Sequence, residues 1–486
     1  MNYLTSLYNG LSGINSMSQK LNVTANNVAN ANTTAFKTGL TTFADVLETS
    51  MGSGSIGHGV QLGAISTSFA SGSLENTNRS TDMAISGSGF FMLRNSDSTT
   101  ADRYTRNGEF NMVEHLGAEP NAYNLVTPSG QFVQGYNLAA STVSSTVISD
   151  VLVKSTTPQS ATTHVEVVAN LEDSPALIEG VSTPLFSSWD GRDNGSPIAN
   201  GFYEYKTSIK VYGPDDGTTT AGSPPSSDYL TLYYDSTANQ NEKEFLLTCD
   251  PSLDQRLIGG GNTRYNSASD KGAGALLYGI LHFTADGDLS EIECWNVPPS
   301  GDVDPSSTNR LDLASGESYY SFDYNFSGDA ANTTSTISFG DSGGALATTS
   351  YASPSATLFQ SQNGFESGVL QNIEVDRLGN VIGEYSNGQK LKQAQLVLAD
   401  FSNLQGLETE GNNTFVATAE SGAAILGTAS QGSFGTVTNN ALEGSNVDLG
   451  REMVDLITTQ RAFQANSKSI STSDDIYENI LQMIRR

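Results

Sequence analysis

The sequence predicts a mixed α and β protein of several domains. Long terminal helices carry coiled-coil seams, and the interior of the chain between them is mainly β. Apolar residues recur every seven positions at both ends of the 486-residue chain, and strand-like alternation fills the interior. A chain of this length is enough for roughly two to four domains, each with its own core.

The first thirty residues are predicted to form one helix with an apolar seam. Two columns with seven-residue spacing define this seam: Leu7, Ile14, Leu21 and Val28 in one, and Leu4, Leu11, Ser18 and Ala25 in the other. The alternating spacing of three and four residues is typical of a coiled coil.

Five asparagines lie in the eleven positions from Asn22 to Asn32. Asparagine side chains compete with the backbone for its hydrogen bonds, so the cluster predicts the end of the helix. Their amides also offer donors and acceptors to another backbone. An ordinary helix-terminating loop is the alternative interpretation.

Three Asn-Gly or Asp-Gly pairs between strand-like residues predict tight β-hairpins, at Asn107-Gly108, Asp286-Gly287 and Asn387-Gly388. From about residue 146 to 359 the chain is rich in Ser, Thr, Gly and Pro and contains short strand candidates such as HVEVVANL and DYLTLYYD. We expect one large β domain here, or two.

The C-terminal end predicts a helix from about Asn446 to Ile484, with a capping box at Ser445 and Asp448. Apolar residues again lie seven apart, and Met453 and Leu481 widen the stripe. The column consists of Leu442, Leu449, Leu456, Phe463, Ile470, Tyr477 and Ile484.

Each terminal seam leaves an apolar stripe in water unless another helix covers it. Pairing the two ends buries part of both, but the longer one stays partly uncovered, at about 25 cal/mol for each Å² exposed. A bundle of many copies removes this exposure. We therefore expect the termini to be poorly ordered in the monomer and to fold on assembly.

The charge balance argues against nucleic acid and anionic membranes as partners. The chain has 52 acidic and 23 basic residues, for a net charge of -29, and only 15% of its residues are charged. Such a chain repels phosphate groups. No apolar run is long enough to insert into a membrane, and the N-terminus lacks the pattern of a cleaved secretory signal. Cys249 and Cys294 are too few for a disulfide framework, although their pairing stays open.

Catalytic, cofactor and metal motifs are not found, and neither enzyme activity nor a cofactor is predicted. The glycine-rich stretch at 52–59 is not followed by the Lys-Ser or Lys-Thr of a phosphate loop. The four histidines lie far apart, and neither cysteine has a partner at zinc-ligand spacing. A calcium site in DGRDNG, residues 190–195, is the alternative.

Both ends of the chain carry long, specific motifs. LNVTANNVANANTTAFK at 21–37 resembles the N-terminal signature of the bacterial flagellar rod and hook axial proteins, and ALEGSNVDLGREMVDLITTQRAFQANSKSISTSDDIYENILQMI at 441–484 resembles their C-terminal signature. TPSGQFVQGYN at 127–137 and the stretches at 368–389 and 397–437 narrow the resemblance to the hook subunits of this family. The resemblance covers residues 1–145 and 360–486, whereas the middle matches no motif.

The resemblance implies a structural subunit that polymerises into a short, curved, flexible tube, a universal joint that transmits torque from rod to filament. It implies three domains nested in discontinuous order: an inner coiled-coil domain of the long terminal α-helices at 1–70 and 430–486, a mainly β middle domain at 71–145 and 360–429, and a mainly β outer domain at 146–359. The Asn26, Asn27 and Asn30 cluster would mark where the helix gives way to extended chain that touches neighbouring subunits. The expected assembly interface comprises Leu7, Ile14, Leu21, Asn26, Asn27, Val28, Asn30, Leu449, Leu456, Phe463, Ile470, Tyr477 and Ile484.

The implied partners are further copies of the chain, the rod and hook–filament junction proteins, the hook cap and the flagellar export apparatus. The implied location is the flagellum outside the cell, reached without a cleaved signal. A distal rod protein is the alternative within the family, although a middle insertion of about 200 residues argues against it. A β-rich surface adhesin or polysaccharide-active enzyme is the alternative outside it.

Overall fold

The computed structural model describes residues 3–46, 49–51, 54–56, 58–96, 101–117, 121–138, 147–173, 184–193, 195–214, 227–239, 241–258, 263–305, 310–311, 319–326, 331–340 and 347–484. The chain divides into two compact units. Unit 1 comprises Met1–Thr156 and Val369–Arg486, and unit 2 comprises Thr157–Gly368. Unit 1 is therefore built from both ends of the chain.

Most of the described structure is β, with a long helix at each end. Helix α1 spans Tyr3–Ala29, the short α2 spans Leu185–Ser188, and α3 spans Leu449–Ile484. The predicted capping box of α3 is wrong: the Asp448 Oδ1 accepts from the Arg451 N–H at 3.2 Å, whereas the Ser445 Oγ accepts from the Val447 N–H outside the helix. Asp448 alone is the cap, three residues later than predicted.

The strands are numbered along the chain. Before the middle segment they are β1 Gly39–Asp45, β2 Thr49–Met51, β3 Gly54–Ile56, β4 Val60–Thr67, β5 Leu74–Asn76, β6 Met83–Ser86, β7 Phe90–Arg94, β8 Ala101–Thr105, β9 Asn111–Glu114, β10 Ala122–Val126, β11 Phe132–Asn137, β12 Ser149–Asp150 and β13 Leu152–Lys154. The next are β14 Thr156–Thr157, β15 His164–Asn170, β16 Tyr205–Tyr212, β17 Ser227–Ser236, β18 Glu242–Thr248, β19 Ala275–Phe283, β20 Leu289–Asn296, β21 Tyr320–Tyr324, β22 Thr333–Ser338 and β23 Ala356–Gln362. The last are β24 Gly368–Val375, β25 Asn380–Tyr385, β26 Lys390–Asp400, β27 Glu408–Gly411, β28 Thr414–Val416, β29 Ile425–Thr428, β30 Thr436–Asn439 and β31 Ala441–Glu443.

Unit 1 contains a large sheet built from strands of both chain halves. Its path runs β24-β25-β26-β11-β7-β8-β28-β27. Neighbouring residues of β7 serve opposite faces, as strand geometry requires: Phe91 and Leu93 enter one core, whereas Phe90 and Met92 enter the other. Two short pairings, β5 with β31 and β6 with β30, also join the halves.

Unit 2 packs two sheets around one core. The antiparallel sheet β16-β17-β18-β19-β20 and the sheet β21-β22-β15-β23 contribute alternate residues to it, among them Leu232, Phe245 and Ile337. The other face of the five-stranded sheet carries a second cluster that includes Leu185 and Phe186 of α2. The strands predicted from HVEVVANL and DYLTLYYD correspond to β15 and β17.

Two of the three predicted hairpins are confirmed and one is wrong. Asp286-Gly287 joins β19 to β20 and Asn387-Gly388 joins β25 to β26, with Gly287 and Gly388 at φ +86° and +78°. Asn107-Gly108 joins no hairpin, because β8 pairs with β7 and β28, whereas β9 pairs with β10. The Gly108 carbonyl instead accepts from the Met83 N–H at 3.0 Å. The absence of a side chain on Gly108 lets its backbone lie close to that of Met83.

Candidate assembly surface at the two chain ends

Helices α1 and α3 pack against each other in antiparallel orientation. Four contacts along the pair fix its direction and join residues that are far apart in sequence. The Ser6 and Ser473 hydroxyls are 3.2 Å apart, the Lys20 ammonium lies 3.5 Å from the Asp455 carboxylate, and Gly10 and Gly13 face Ile470 and Asn466. The two ends therefore meet within one chain.

Two glycines of α1 allow this close approach. A Cβ atom on Gly10 would lie 2.7 Å from the Ile470 Cγ1, and one on Gly13 would lie 2.5 Å from the Asn466 Nδ2. Real Cβ contacts are longer, so a larger residue at either position would push the helices apart or displace the facing side chain. The sequence analysis did not single out these glycines.

The most buried column of α3 is polar. Glu452, Thr459 and Ser473 are 7%, 2% and 8% exposed, and Asn466 completes the same seven-residue spacing. The apolar column predicted from the sequence lies three residues before each of them. The partner within the chain therefore covers mainly the polar column, which no apolar periodicity could have revealed.

The predicted apolar column of α3 is only partly covered. Leu449, Phe463 and Tyr477 are 47%, 40% and 37% exposed, whereas Leu456 and Ile470 are partly buried. The side chain of Ile484 lies outside the described residues. The exposed α3 stripe consists of the exposed apolar side chains on the side of the helix that carries the predicted column, namely Leu449, Met453, Ile457, Phe463, Tyr477 and Leu481. Val454, Ile476, Ile480 and Met483 are also exposed but lie on other sides of α3. An apolar surface of this extent is typical of an interaction site.

The predicted apolar seam of α1 is also only partly buried. Leu7, Ile14, Leu21 and Val28 are partly buried, and Leu11 is exposed. The deeply buried polar residues of α1 are Ser16, Thr24 and Asn27. The face with Ser16 and Asn27 packs on strands β1 and β4, where the Ser16 hydroxyl donates to the Val60 carbonyl at 3.3 Å. Helix α1 is thus held between α3 and a β-hairpin.

The asparagine cluster acts within the chain at Asn27. Its amide nitrogen donates to the Gly39 carbonyl at 2.9 Å, and its amide oxygen accepts from the Gly39 N–H at 3.0 Å. The side chain thereby imitates a strand neighbour at the start of β1. Asn26 is exposed, and α1 continues through both residues to Ala29, so the cluster overlaps the last turn and does not follow it. Contact of Asn26, Asn27 and Asn30 with neighbouring subunits stays a prediction.

A buried ion cluster joins the two terminal motifs. The Lys37 ammonium lies 2.6 Å from the Glu443 Oε1, with side chains only 1% and 0% exposed. The Arg106 Nη1 lies 3.5 Å from the Glu443 Oε2, and the Gly72 N–H donates to Oε1 at 2.9 Å. Burial lowers the pKa of Lys37 and of Arg106, against the opposing effect of the Glu443 carboxylate. The Glu443 carboxylate thus connects its own segment of unit 1 to those of Lys37, Gly72 and Arg106.

A second polar contact lies beside this cluster, at Asn446. Its amide oxygen accepts from the Thr38 N–H at 2.8 Å and the Thr38 hydroxyl at 2.7 Å. Its amide nitrogen donates to the carbonyls of Ser68 and Ala70, at 2.8 and 2.9 Å. We call Lys37, Thr38, Glu443 and Asn446 the terminal clamp. The sequence analysis missed it, although Lys37 and Glu443 are isolated charges in nearly uncharged stretches of the two motifs.

A cavity of about 470 Å³ opens where α1 ends, between β1, β4 and the β27–β28 turn. Asn22 and Asn26 line it together with Ile65 and Phe415. The turn residues Asn412 and Asn413 have φ of 49° and 57°, which asparagine tolerates better than most residues. The lining of the cavity thus combines apolar side chains with asparagine amides.

The two cysteines and the DGRDNG stretch are the groups that the sequence offers for chemistry. Cys249 and Cys294 are free and buried, and burial raises the pKa of both thiols. In DGRDNG, Asp190 binds Arg192 at 2.8 Å, and Asn194 lies outside the described residues. Among the described residues no three His, Cys, Asp or Glu side chains are grouped to hold a metal. No helix in the described ranges is long and apolar enough to cross a bilayer.

Four protein-family sequence models match the chain, each over part of its length. They are described as Flagella basal body rod protein at residues 7–37, Flagellar hook protein FlgE/F/G D1 domain at 84–169, Flagellar basal body protein FlaE D2 domain at 188–365, and Flagellar basal body rod FlgEFG protein C-terminal at 438–483. The middle of the chain, where the sequence analysis found no motif, is thus matched as well. These matches define a flagellar rod and hook axial protein.

Relatives extend the likeness to almost the whole chain. The flagellar hook protein FlgE of Escherichia coli is 29% identical over 479 residues, covering 97% of this chain and 98% of the relative. That of Treponema pallidum is 28% identical over 502 residues, covering 99% and 100%. The solved structure of Helicobacter pylori FlgE2 aligns with a TM-score of 0.37 at 17% identity, covering 76% and 100%. The chain belongs to the flagellar hook protein family.

Proposed function

We propose that copies of this structural hook subunit polymerise into a curved, flexible tube, a universal joint that transmits torque from the rod to the filament. The observation that carries the proposal is the exposed α3 stripe. Within one chain, α1 covers mainly the polar column of α3, so the apolar side chains stay in water at about 25 cal/mol for each Å². Packing against other copies would remove this exposure.

In this proposal the terminal helices of many subunits form a coiled-coil layer. The assembly interface is the set predicted from the sequence, including Leu7, Ile14, Phe463 and Tyr477. The proposed domain limits are those of the sequence analysis, with 1–70 and 430–486 innermost and 146–359 outermost. The low content of charged residues supports an outer surface that works through weak, exchangeable hydrogen bonds.

The proposed partners follow from membership of the family. They are the rod, the hook–filament junction proteins, the hook cap and the export apparatus, and the subunit would work outside the cell as part of the flagellum. No catalytic role, nucleic-acid contact or membrane insertion is part of the proposal. The alternative of a distal rod protein is not favoured, because the two relatives described above, which match the chain over nearly its full length, are hook proteins.

Electron microscopy of the purified full-length chain under polymerising conditions tests the proposal. Curved tubes are expected. Straight rods would indicate the distal rod protein, and a persistent monomer at high concentration would contradict the assembly proposal altogether. Hydrogen exchange before and after polymerisation adds a second measurement, because the terminal amides are expected to be protected more strongly in the polymer than in the monomer.

A pair of neighbouring variants tests the exposed α3 stripe itself. Ile457, 49% exposed, lies in the stripe, and the exposed Thr458 follows it outside the stripe. Ile457→Glu is expected to raise the concentration needed for polymerisation by at least about tenfold, because a charge would have to be buried between subunits. Thr458→Glu adds the same charge to the same helix turn and should leave polymerisation nearly unchanged. Equal loss in both variants would mean that the stripe is not the interface.

A further inference from the structure

Two acidic residues lie directly opposite each other in unit 2. Asp235 of β17 is the antiparallel register partner of Glu244 of β18, so both side chains point to the same face of the five-stranded sheet. They are only 9% and 4% exposed. Like charges directly opposite each other destabilise a sheet. The position is therefore unfavourable whenever both carboxyl groups are ionised.

Glu244 also holds the segment that covers this face. Its Oε1 accepts from the Leu185 N–H at 3.1 Å, and its Oε2 is 2.8 Å from the Tyr278 hydroxyl, which donates to it. Leu185 begins α2, and Trp189 follows that helix directly. The carboxyl group thus links two strands to the residues 184–189 that pack over them.

The surroundings offer little to neutralise two buried charges. No ion pair joins Asp235 or Glu244 to a cation in the part of the chain that the structure describes. The Lys243 ammonium lies near Asp235 but binds Glu204 at 3.3 Å and the Ser236 hydroxyl at 2.6 Å. The titratable and charged groups around the pair are Glu204, Tyr233, Glu242, Lys243, Tyr278 and Lys271, which donates to the Ser187 carbonyl.

Burial raises the pKa of Glu244 to about 7, against the opposing hydrogen bonds from Tyr278 and Leu185. Burial also raises the pKa of Asp235 to about 6, with the Ser236 N–H opposing and Glu204 adding to the rise. In the unfolded chain the pKa of Asp235 returns to its ordinary value of 3.8, and the pKa of Glu244 returns to 4.5. Folded unit 2 therefore holds more protons than the unfolded chain between about pH 4 and 7, and its stability falls as pH rises through this range.

We propose that the Asp235–Glu244 pair is a proton-dependent latch, which holds residues 184–189 on the five-stranded sheet when protonated and loosens them when both carboxyl groups are ionised. Ionisation places two negative charges in an apolar cluster. Water then has to enter to solvate them, which opens the contact between the segment and the sheet.

Tryptophan fluorescence of the full chain tests the latch directly. The chain has two tryptophans, Trp189 and Trp295, and both lie in this cluster with 2% and 3% exposure. Between pH 5 and 8.5 the wild-type emission is expected to move to longer wavelength, with increased quenching by acrylamide. The variant Asp235→Asn/Glu244→Gln should show no shift, since it keeps polar side chains at both positions but removes the titration.

Two controls keep the outcome interpretable. Glu291→Gln removes a mostly exposed acid from the same sheet and should keep the wild-type shift. If the double variant does not fold, Glu244→Gln alone is used, because its amide can still bind Leu185 and Tyr278. A wild-type emission that ignores pH, or an equal shift in wild type and variants, would overturn the proposal.

Urea unfolding of the full chain, followed by the same fluorescence, adds a quantitative expectation. The signal reports on unit 2, because both tryptophans lie there. The unfolding equilibrium constant of the wild type should rise by at least about a hundredfold from pH 5 to 8, because each unit of pKa difference contributes a factor of about ten. The double variant should show a much smaller change. The latch fails this test if the two pH profiles have the same slope.

Discussion

The Lys37 ammonium and the Glu443 carboxylate are 406 residues apart in sequence and 2.6 Å apart in space, in a site closed to solvent. Arg106 provides a second cation to the same carboxylate. Removing the carboxylate would leave two buried cations without a counter-charge, a more costly change than losing an exposed ion pair. The stability of unit 1 should therefore depend strongly on Glu443.

Glu443→Gln is expected to lower the free energy of unfolding of unit 1 by about 3–5 kcal/mol. Glutamine keeps the shape and can still accept from the Gly72 N–H, so the loss reports mainly the charge. Urea unfolding of the full chain, followed by far-UV circular dichroism, measures it. The control is Glu410→Gln, which breaks the exposed Arg103–Glu410 pair and should cost less than about 1 kcal/mol. A similar loss in both variants would contradict the role of the buried pair.

Asn27 and Asn26 allow the same substitution to be compared in a buried and an exposed site. Asn27→Asp removes the N–H donor to the Gly39 carbonyl and buries a charge, so we expect a loss of at least about 1–3 kcal/mol. Asn26→Asp keeps the oxygen that accepts from the Asn30 amide, in an exposed position, and should be nearly neutral. Thermal unfolding of the monomer measures both. If Asn27→Asp is harmless to the monomer but prevents polymerisation, Asn27 acts between subunits instead.

The terminal helices and the hook family were predictable from the sequence because long-period apolar patterns and motifs are local signals. The terminal clamp was not, since nothing in the sequence tells which of 52 acidic residues finds Lys37. The packing of Asn466 was not predicted because this residue faces Gly10 and Gly13 of the other helix, which are distant in sequence. Periodicity shows which residues avoid water, but not which partner is close enough to cover them.

The contact between Gly10 of α1 and Ile470 of α3 provides a double-mutant test of helix pairing. Gly10→Ala is expected to cost about 1–3 kcal/mol, although alanine favours helix, because its Cβ would meet Ile470 at 2.7 Å. Combining it with Ile470→Ala should recover part of that loss, since the facing side chain is then short. Hydrogen exchange of the α1 amides in the monomer measures the pairing. Asn15→Ala, at an exposed site of the same helix, is the control and should not weaken protection. Additive effects of the Gly10 and Ile470 changes would show that the two residues are not coupled.

Two Asn-Gly sequences that look alike should respond differently to the same change. A Cβ on Gly108 would lie 1.6 Å from the Met83 carbonyl oxygen, and backbone cannot move aside as a side chain can. Gly108→Ala is therefore expected to cost more than about 4 kcal/mol or to prevent folding of unit 1. Gly388 has open space around it but a φ of +78°, so Gly388→Ala should cost only about 1 kcal/mol of backbone strain. Denaturant unfolding of both variants decides the matter. Equal costs would mean that Gly108, like Gly388, is needed only for a turn, and that the hairpin predicted from the sequence forms after all.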